Sequence, residues 1–529
     1  MPFTDRLGSA AQPGLCALIA LMVLYTAYDG IRAGWNDWLP GVMSRHRDAA
    51  AVAITAVAYG KWQGYAAYRS VNRTLREHGL SVNKEDLDRV GVKHYFDVMT
   101  DPARLGTALT AASTLKAPEA EGMYFSQDEK GMALLYTAAY ALFGIAPASW
   151  YWFYICLYAL SLMAACIAFY RRTEILFFLL VVVCVHALVA GLLPTIPRQD
   201  INVIHGNRFI GTMAIVAIFH LMFLVALRTR PTAGQIAAAV FQTGIIFLAV
   251  NARTSAMWLP IAVALFWVGF LISWRIRRRR QEEALARPAS WPIGVLALGL
   301  VALMLHQRIG VDSAYHDGRA HGAHVFWHTL TLALHNNPYR TDRFNIPAEY
   351  PVYDDQVSYT LFNREIAARG EELSKYLVGD SDWVYRTDAP VRDFRWAEYD
   401  RVLRDVFLRT IAADPGYAMY SFLVQQPRSA VAIMLGPDFM QAPRLRRAVP
   451  ILALVLGVML LVVVSGPMQP AVYFWALAAA SIGAALPVLV AAVVELRVVE
   501  MFYMLLLDLL VVVALAMATF GRSILARAR

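Results

Sequence analysis

Long apolar segments separated by short polar ones dominate the sequence. Each segment is close to the roughly 20 residues that a helix needs to cross the hydrocarbon core of a bilayer. The segments fall at approximately 14–32, 151–170, 175–196, 209–227, 235–252, 256–274, 292–306, 449–466, 471–494 and 501–520. Two weaker segments are 131–147 and 50–68, the latter containing Lys61 and Gln63. The pattern predicts an all-α polytopic membrane protein with about 10–12 membrane helices.

Two long polar regions interrupt this pattern, at 33–130 and 307–448. They divide the chain into a membrane module at 1–306 with a large first loop, an inserted domain at 307–448, and C-terminal membrane helices at 449–529. The insertion has a mixed pattern that is mainly helical, with helices predicted near 355–377 and 397–413. Its end, about 417–437, is amphipathic and is predicted to lie on the membrane surface.

Composition supports a membrane protein. The chain is 58% hydrophobic and 16% charged, whereas soluble domains are about 45–50% apolar and about 25% charged. Its formal net charge is +9, but the arginines lie at helix ends and not on one soluble face. Nucleic acid is therefore excluded as a partner, and membrane lipids are expected partners. The four cysteines all lie within apolar segments and lack metal-ligand spacing.

Charge also predicts orientation. The run Arg275-Ile276-Arg277-Arg278-Arg279-Arg280 is expected on the cytoplasmic side by the positive-inside rule. Counting crossings from this run places both polar regions, 33–130 and 307–448, on the outer side. We expect 50–68 and 131–147 to lie at the outer interface; an additional crossing hairpin is the alternative.

Two acidic motifs flank the first large loop. Asp29 ends the first membrane helix, and Asp128-Glu129-Lys130 opens the segment after the loop, so both are expected at the same depth. A carboxylate there can accept a proton from an acceptor hydroxyl or coordinate a metal. The structural explanations are a solvated helix end for Asp29 and an acidic first helical turn for Asp128 and Glu129.

Cationic residues follow in later outer loops. The loop 197–208 contains His205 and Arg208, and Arg253 lies in the next outer turn. Arginine binds phosphate oxygens in a fork, which suits a phospholipid or pyrophospholipid headgroup. We predict that these side chains, with Lys130, bind a donor phosphate. Anchoring of helix ends at the headgroups is the structural explanation.

The inserted domain carries candidate contacts for an acceptor or a sugar. They are His324, Trp327, His328, Tyr339, Asp354 and Asp355. His321, His324 and His328 would share a helical face, but a hydrogen-bonded histidine is favoured over a metal ligand because no H-E-x-x-H pattern occurs. Aromatic rings such as Trp327 and Tyr339 can stack on sugar rings, although packing in the domain core is the favoured explanation for them.

These features together resemble the GT-C superfamily of membrane glycosyltransferases. The resemblance rests on the carboxylate ending the first helix, the long outer loop closed by a second acidic motif, and the segment from Asp128-Glu129-Lys130-Gly131 to Ala141-Leu142-Phe143-Gly144. It covers most of 14–274 as architecture. It implies transfer of a sugar from a polyprenyl-phosphate donor to a glycan, lipid or protein hydroxyl, with inversion, on the periplasmic face of a bacterial cytoplasmic membrane.

Carried onto this chain, the resemblance assigns Asp29 as the catalytic base, Asp128-Glu129 as the second acidic motif, and Arg208 or Arg253 as the clamp on the donor phosphate. Tyr28-Asp29-Gly30 lacks a second adjacent acid, which leaves a divalent cation, Mg²⁺ or Mn²⁺, undecided. Two other functions stay open. One is a polymerase or ligase of glycans linked to lipid pyrophosphate, and the other is a polytopic transporter or flippase.

Overall fold

The computed structural model describes most of the apolar segments and much of the insertion. The described residues are 3–32, 53, 56–57, 127–146, 149–192, 210–227, 230–252, 254–279, 287–309, 326–348, 350, 355–376, 395–435, 470–490 and 500–513. Across these ranges the chain is nearly all helical and contains no strand, which confirms the all-α class.

The apolar helices form a bundle around one hydrophobic core. They are α1 (Phe3–Arg32), α2 (Gln127–Phe143), α3 (Ser149–Ala168), α4 (Thr173–Leu192), α5 (Ile210–Met213), α6 (Ile215–Leu227), α7 (Ala233–Ala252), α8 (Trp258–Arg279), α9 (Trp291–Ile309), α16 (Pro470–Val490) and α17 (500–513). Within the described ranges, five helices are long and apolar enough to cross a membrane: α1, α3, α7, α8 and α16. The bundle thus has the composition of a membrane protein. The predicted segment 449–466 and nearly all of 50–68 lie outside the described residues.

Short connections join α3 to α4 and α6 to α7, so the two helices of each pair run antiparallel. Arg171 and Arg172 lie in the turn after α3, and Arg277, Arg278 and Arg279 form the last turn of α8. We call this end of the bundle the basic end. The backbone N–H of Ala289, just before α9, donates to the Val225 carbonyl, near the end of α6, at 2.8 Å. The end of α6 and the start of α9 therefore also lie at the basic end. The opposite end holds Glu500 at the start of α17, and we call it the Glu500 end.

Helices α2 and α3 form a hairpin. Gly144 ends α2 with a φ of +83°, a left-handed conformation that favours glycine, and its N–H donates to the Tyr140 carbonyl at 2.9 Å. Tyr136, Ala139 and Tyr140 point into the bundle core. Segment 131–147 therefore packs along the bundle beside α3 and α7, and does not lie across its end as the interfacial prediction had it.

The inserted domain is a separate group of helices. They are α10 (Phe326–Leu334), α11 (Arg340–Phe344), α12 (Asp355–Ala368), α13 (Trp396–Ala413), α14 (Pro415–Tyr420) and α15 (Gln426–Leu435), with a 3-10 turn at Leu373–Tyr376 and a π turn at Ser421–Gln425. The helix predicted at 397–413 is confirmed, while the one predicted at 355–377 ends at Ala368.

Helix α13 is the centre of the inserted domain. Its buried positions recur at helical spacing: Tyr399, Val402, Leu403, Val406, Phe407 and Thr410. This face packs against α10 and α12. Glu365 of α12 accepts hydrogen bonds from Arg409 of α13 and Arg369, and these contacts, Arg409 first, lower the pKa of Glu365.

The inserted domain is attached to the Glu500 end of the bundle. Ala430 and Met434 of α15 pack against Val488, near the end of α16, and against Met501, near the start of α17. Met501 follows Glu500 directly, so the domain contacts the bundle next to Glu500.

Candidate functional site

The end of α1 is held against the start of α3. The Tyr151 hydroxyl lies 3.0 Å from the carbonyl oxygen of Thr26 and 3.1 Å from that of Ala27, and the oxygens are buried. Both carbonyls are near the last turns of α1, where the backbone of Asp29 also lies. Tyr151 therefore fixes the helix end that carries the predicted catalytic carboxylate.

One turn further along α3, Tyr154 connects two more helices. Its hydroxyl is 2.9 Å from Thr212 Oγ1 of α5 and 3.3 Å from His186 Nε2 of α4. The imidazole of His186 also stacks on Tyr158, with ring centroids 4.2 Å apart. Three helices thus meet through polar side chains inside an apolar bundle.

Glu500 is the acidic member of this cluster. Its side chain is buried, with 6% of the residue exposed, and its Oε2 accepts a hydrogen bond from the indole N–H of Trp258, the first residue of α8. A Cβ on Gly211 would overlap the Glu500 carboxylate, so any larger residue there would force this side chain to move from its place beside Trp258. Tyr154 and Glu500 are close enough to interact electrostatically. Ionisable residues in membrane helices are rare and usually functional.

These contacts define what we call the Glu500 cluster: Tyr154, His186, Gly211, Thr212, Trp258 and Glu500. It combines a carboxylate, an imidazole and two hydroxyls at one end of the bundle. Such groups can accept a proton from a substrate hydroxyl or orient it. The sequence analysis missed Glu500, although the criterion applied to Asp128, an acid at the start of an apolar segment, would have found it.

Two of the predicted site residues, Arg208 and Arg253, are a few residues along the chain from members of this cluster, and Asp29 is next to the α1 carbonyls that Tyr151 contacts. Asp29 follows Ala27 by two residues, Arg208 precedes Gly211 by three, and Arg253 precedes Trp258 by five. Arg208, Arg253 and His205 lie outside the described residues, and of Asp29 the structure describes the backbone.

The second acidic motif is placed differently. Asp128, Glu129 and Lys130 form the first turn of α2, described as backbone, at the end of the α2–α3 hairpin opposite Gly144. Tyr151 and the end of α1 lie at the Gly144 end. At 1.5 Å per residue, the fifteen helical steps from Asp128 to Phe143 span about 22 Å. The expectation of a common depth for the two motifs is therefore wrong, while the catalytic role of Asp128 and Glu129 stays a prediction.

Some candidates in the inserted domain do come together. His328 is buried between Tyr399 and Asp355, with Nδ1 2.7 Å from the Tyr399 hydroxyl and Nε2 3.0 Å from Asp355 Oδ1. Asp400 Oδ1 accepts the backbone N–H groups of Trp327 and His328 at 2.9 and 3.2 Å, capping α10. Burial raises the pKa of Asp400 although these bonds lower it.

The remaining candidates in the domain lie elsewhere. The ring of Trp327 packs on Phe407, and the exposed Tyr339 contacts Tyr420 edge-on at 5.6 Å. His324 and Asp354 lie outside the described residues. Within the described ranges, no group of three or more His, Cys, Asp or Glu side chains is arranged to hold a metal ion.

His335 is a second buried histidine of the inserted domain. Its Nδ1 lies 3.1 Å from the Tyr417 hydroxyl, and Nε2 has no hydrogen-bond partner among the described residues. Burial, aided by the nearby Arg340, lowers the pKa of His335 to about 3. The folded domain therefore requires the neutral imidazole.

Acid should consequently destabilise the domain. A histidine in the unfolded chain has a pKa near 6.5, whereas His335 in the folded domain has a pKa of about 3. As the pH falls from about 6.5 towards 3, protons therefore bind the unfolded chain in preference to the folded one, and the stability that the domain has above pH 6.5 is progressively lost. Between pH 7 and pH 5 we expect the free energy of unfolding to fall by about 2 kcal/mol from this group. Hydrogen exchange of α10 amides in the full chain measures this. His335→Gln should make the free energy of unfolding depend less on pH. If its pH dependence in this variant equals that of the wild type, groups other than His335 cause the loss of stability in acid.

Comparison with known proteins adds no assignment. No family model, no curated protein and no solved structure matches this chain.

Proposed function

We propose that this protein is a membrane glycosyltransferase that transfers a sugar from a polyprenyl-phosphate donor to an acceptor hydroxyl at the Glu500 end of the bundle. The observation that carries the proposal is convergence. The end of α1 that bears Asp29 contacts α3 at Tyr151, one turn before Tyr154. The helices that follow Arg208 and Arg253 supply Thr212 and Trp258 to the Glu500 cluster, so the three segments approach one another although they are far apart in sequence. A base and phosphate-binding cations are the groups that this transfer needs.

In the proposed reaction Asp29 accepts the proton of the acceptor hydroxyl. The hydroxyl oxygen attacks the anomeric carbon, the bond from that carbon to the phosphate oxygen breaks with inversion, and polyprenyl phosphate leaves. Arg208 and Arg253 stabilise the negative charge on the departing phosphate, with His205 as a further predicted contact. Lys130 lies in the first turn of α2 with Asp128 and Glu129, at the other end of the bundle, so it has no part in the proposed step. Glu500 and Tyr154 orient groups around the reacting atoms, and Tyr151 positions Asp29.

The inserted domain would hold the acceptor. Of the side chains brought together there, Asp355 is the accessible one, with 61% of its side chain exposed, and His328 fixes its carboxylate. An exposed carboxylate held in this way can accept hydrogen bonds from glycan hydroxyls.

A proton-coupled transporter is the second candidate, because α17 carries another acid. Asp508 Oδ2 accepts a hydrogen bond from Ser481 Oγ at 2.5 Å, while Oδ1 is buried without a partner among the described residues. Acids within membrane helices mark ion pathways in many transporters. Asp508→Asn should abolish proton-driven uptake into proteoliposomes if this function is correct.

Lipid binding tests the transferase. Native mass spectrometry of the purified full-length protein with undecaprenyl phosphate should show specific retention of the lipid. Arg208→Ala and Arg253→Ala should each weaken it about tenfold or more, since a hydrogen bond to a charged group contributes about 1.5–3 kcal/mol.

Arg230→Ala is the matched control for this experiment. Arg230 is exposed beside α7, at the basic end, and its loss should leave retention unchanged. Retention of undecaprenyl phosphate no stronger than that of bulk phospholipid would remove the support for a lipid-phosphate donor. Equal loss in all three variants would indicate nonspecific attraction to positive charge.

A further inference from the structure

The segment from α14 through the π turn to α15 exposes a row of apolar side chains. Met419 is 61% exposed, Leu423 66%, Val424 48% and Val431 44%. Large exposed apolar side chains in a row mark an interaction surface more often than scattered single ones. We call Met419, Leu423, Val424 and Val431 the apolar stripe.

The π turn brings the stripe into register. Met419 and Val431 are twelve residues apart, and eleven residues of α-helix make about three turns. The separation of twelve residues is one more than three α-helical turns. A π turn holds more residues per turn than an α-helix, so the one at Ser421–Gln425 accommodates this additional residue and keeps Met419, Leu423 and Val431 on one face. A continuous α-helix would rotate Val431 by a further ~100° away from Met419.

Buried polar contacts fix the opposite face of the same segment. The Ser421 hydroxyl donates to the Leu334 carbonyl at 2.6 Å, and Gln426 Nε2 donates to the Ala333 carbonyl at 2.9 Å. Asn337 Nδ2 donates to Ser421 Oγ at 2.8 Å. These bonds hold the π turn against the end of α10, so the stripe must point away from the inserted domain.

The stripe is next to membrane helices. On α15, Ala430 and Met434 pack against Val488, near the end of α16, a helix apolar and long enough to span a bilayer. The end of such a helix lies near the membrane surface. The segment is therefore attached at the depth where headgroups and acyl chains meet.

The residues beside the stripe suit that depth. Tyr420 borders it and contacts Tyr339, and Arg428 is exposed one turn after Val424. Tyrosine is enriched at membrane interfaces, and arginine beside an apolar helical face pairs with lipid headgroups.

From this arrangement we infer that 415–435 is an interfacial helix whose apolar stripe inserts into the bilayer surface and seats the inserted domain on the lipid. The partner is the lipid bilayer and not a second copy of the chain. Four side chains of roughly 100 Å² each fall well short of the ~800 Å² per partner of a stable protein interface.

Site-specific fluorescence in single-copy nanodiscs tests this inference. Cys16, Cys156, Cys166 and Cys184, none of them exposed, are replaced by alanine, and Leu423→Cys or Val431→Cys is labelled with bimane. Nanodiscs of phosphatidylcholine with brominated acyl chains should quench these labels by about half, because an interfacial helix buries its apolar face ~5–10 Å deep. Leu408→Cys is the control, since Leu408 is 50% exposed on α13, one turn after Arg404 and two turns after Arg401, and should stay bright.

Two results would overturn the inference. Labels at 423 and 431 that are as bright as the label at 408 would place the stripe in water. Shielding that appears only in discs holding two copies would assign the stripe to a dimer. A second measurement keeps the native cysteines: a benzophenone amino acid at position 423 should cross-link to lipid, and one at position 408 should not.

Discussion

Asp29→Asn should abolish sugar transfer while leaving the protein folded. Asparagine has nearly the same shape as aspartate but cannot accept the proton of the acceptor hydroxyl. Loss of a general base lowers the rate by about 10²–10⁴-fold. Transfer from a synthetic polyprenyl-phosphate sugar, measured with the full-length protein in proteoliposomes, gives kcat, and thermal unfolding confirms the fold. Activity within a few-fold of wild type would refute the role of Asp29 as base.

Asp128→Asn and Glu129→Gln provide the matched comparison. The backbone of both residues lies in the first turn of α2, at the end of the α2–α3 hairpin away from Tyr151 and α1. If one site near Glu500 performs the reaction, these variants should keep most of the activity. A loss of activity as large as that of Asp29→Asn would instead support the second acidic motif as part of the catalytic machinery.

Tyr151→Phe should give a loss of activity between those of the two sets of variants, because it frees the end of α1 without removing the Asp29 carboxylate.

Trp258→Phe should be among the most destabilising conservative changes in the bundle. It removes the indole N–H that donates to Glu500 Oε2 and leaves a buried carboxylate with one hydrogen bond fewer. Loss of a donor to a buried charged group costs about 2–3 kcal/mol. The free energy of unfolding, measured by SDS titration with far-UV circular dichroism, should fall by that amount. A Glu500→Gln background should reduce the effect, since the charge is then absent.

Trp267→Phe on the same helix is the control for lost volume. Trp267 lies nine residues after Trp258 in α8, and its indole N–H is buried without a hydrogen-bond partner among the described residues. The two changes remove the same atoms, so the difference between them isolates the hydrogen bond to Glu500. Equal costs would mean that packing, and not this bond, accounts for the destabilisation.

Local sequence features predicted the helices well. The apolar segment before Arg275 predicted α8, and the helical pattern at 397–413 predicted α13. The boundaries were less accurate: α12 ends at Ala368, where the chain turns through Gly370 with a φ of +65°. A helix end depends on a few residues, whereas the existence of a helix depends on a whole periodic segment.

The Glu500 cluster could not be predicted in this way. Tyr154, Thr212, Trp258 and Glu500 belong to four different helices, and none of them forms a motif with its neighbours in sequence. Only the packing of α3, α5, α8 and α17 makes the hydroxyl, indole and carboxylate groups neighbours. Gly211 is informative only once the nearby Glu500 carboxylate is known.

The sequence by itself determined that this is a helical membrane protein with a helical insertion, because apolar runs of spanning length and helical periodicity are local properties of the chain. It also pointed to Asp29, Arg208 and Arg253 as charged residues at helix ends. The tertiary structure decided which ends meet. In the structure the end of α1 contacts Tyr151, and Glu500 is buried beside Trp258. The start of α2 lies at the end of the α2–α3 hairpin that is away from Tyr151. Which helix ends become neighbours depends on the packing of helices that are up to hundreds of residues apart in sequence. Hydrophobic burial drives this packing and is non-directional, so a local stretch of sequence does not specify which helix a given helix packs against.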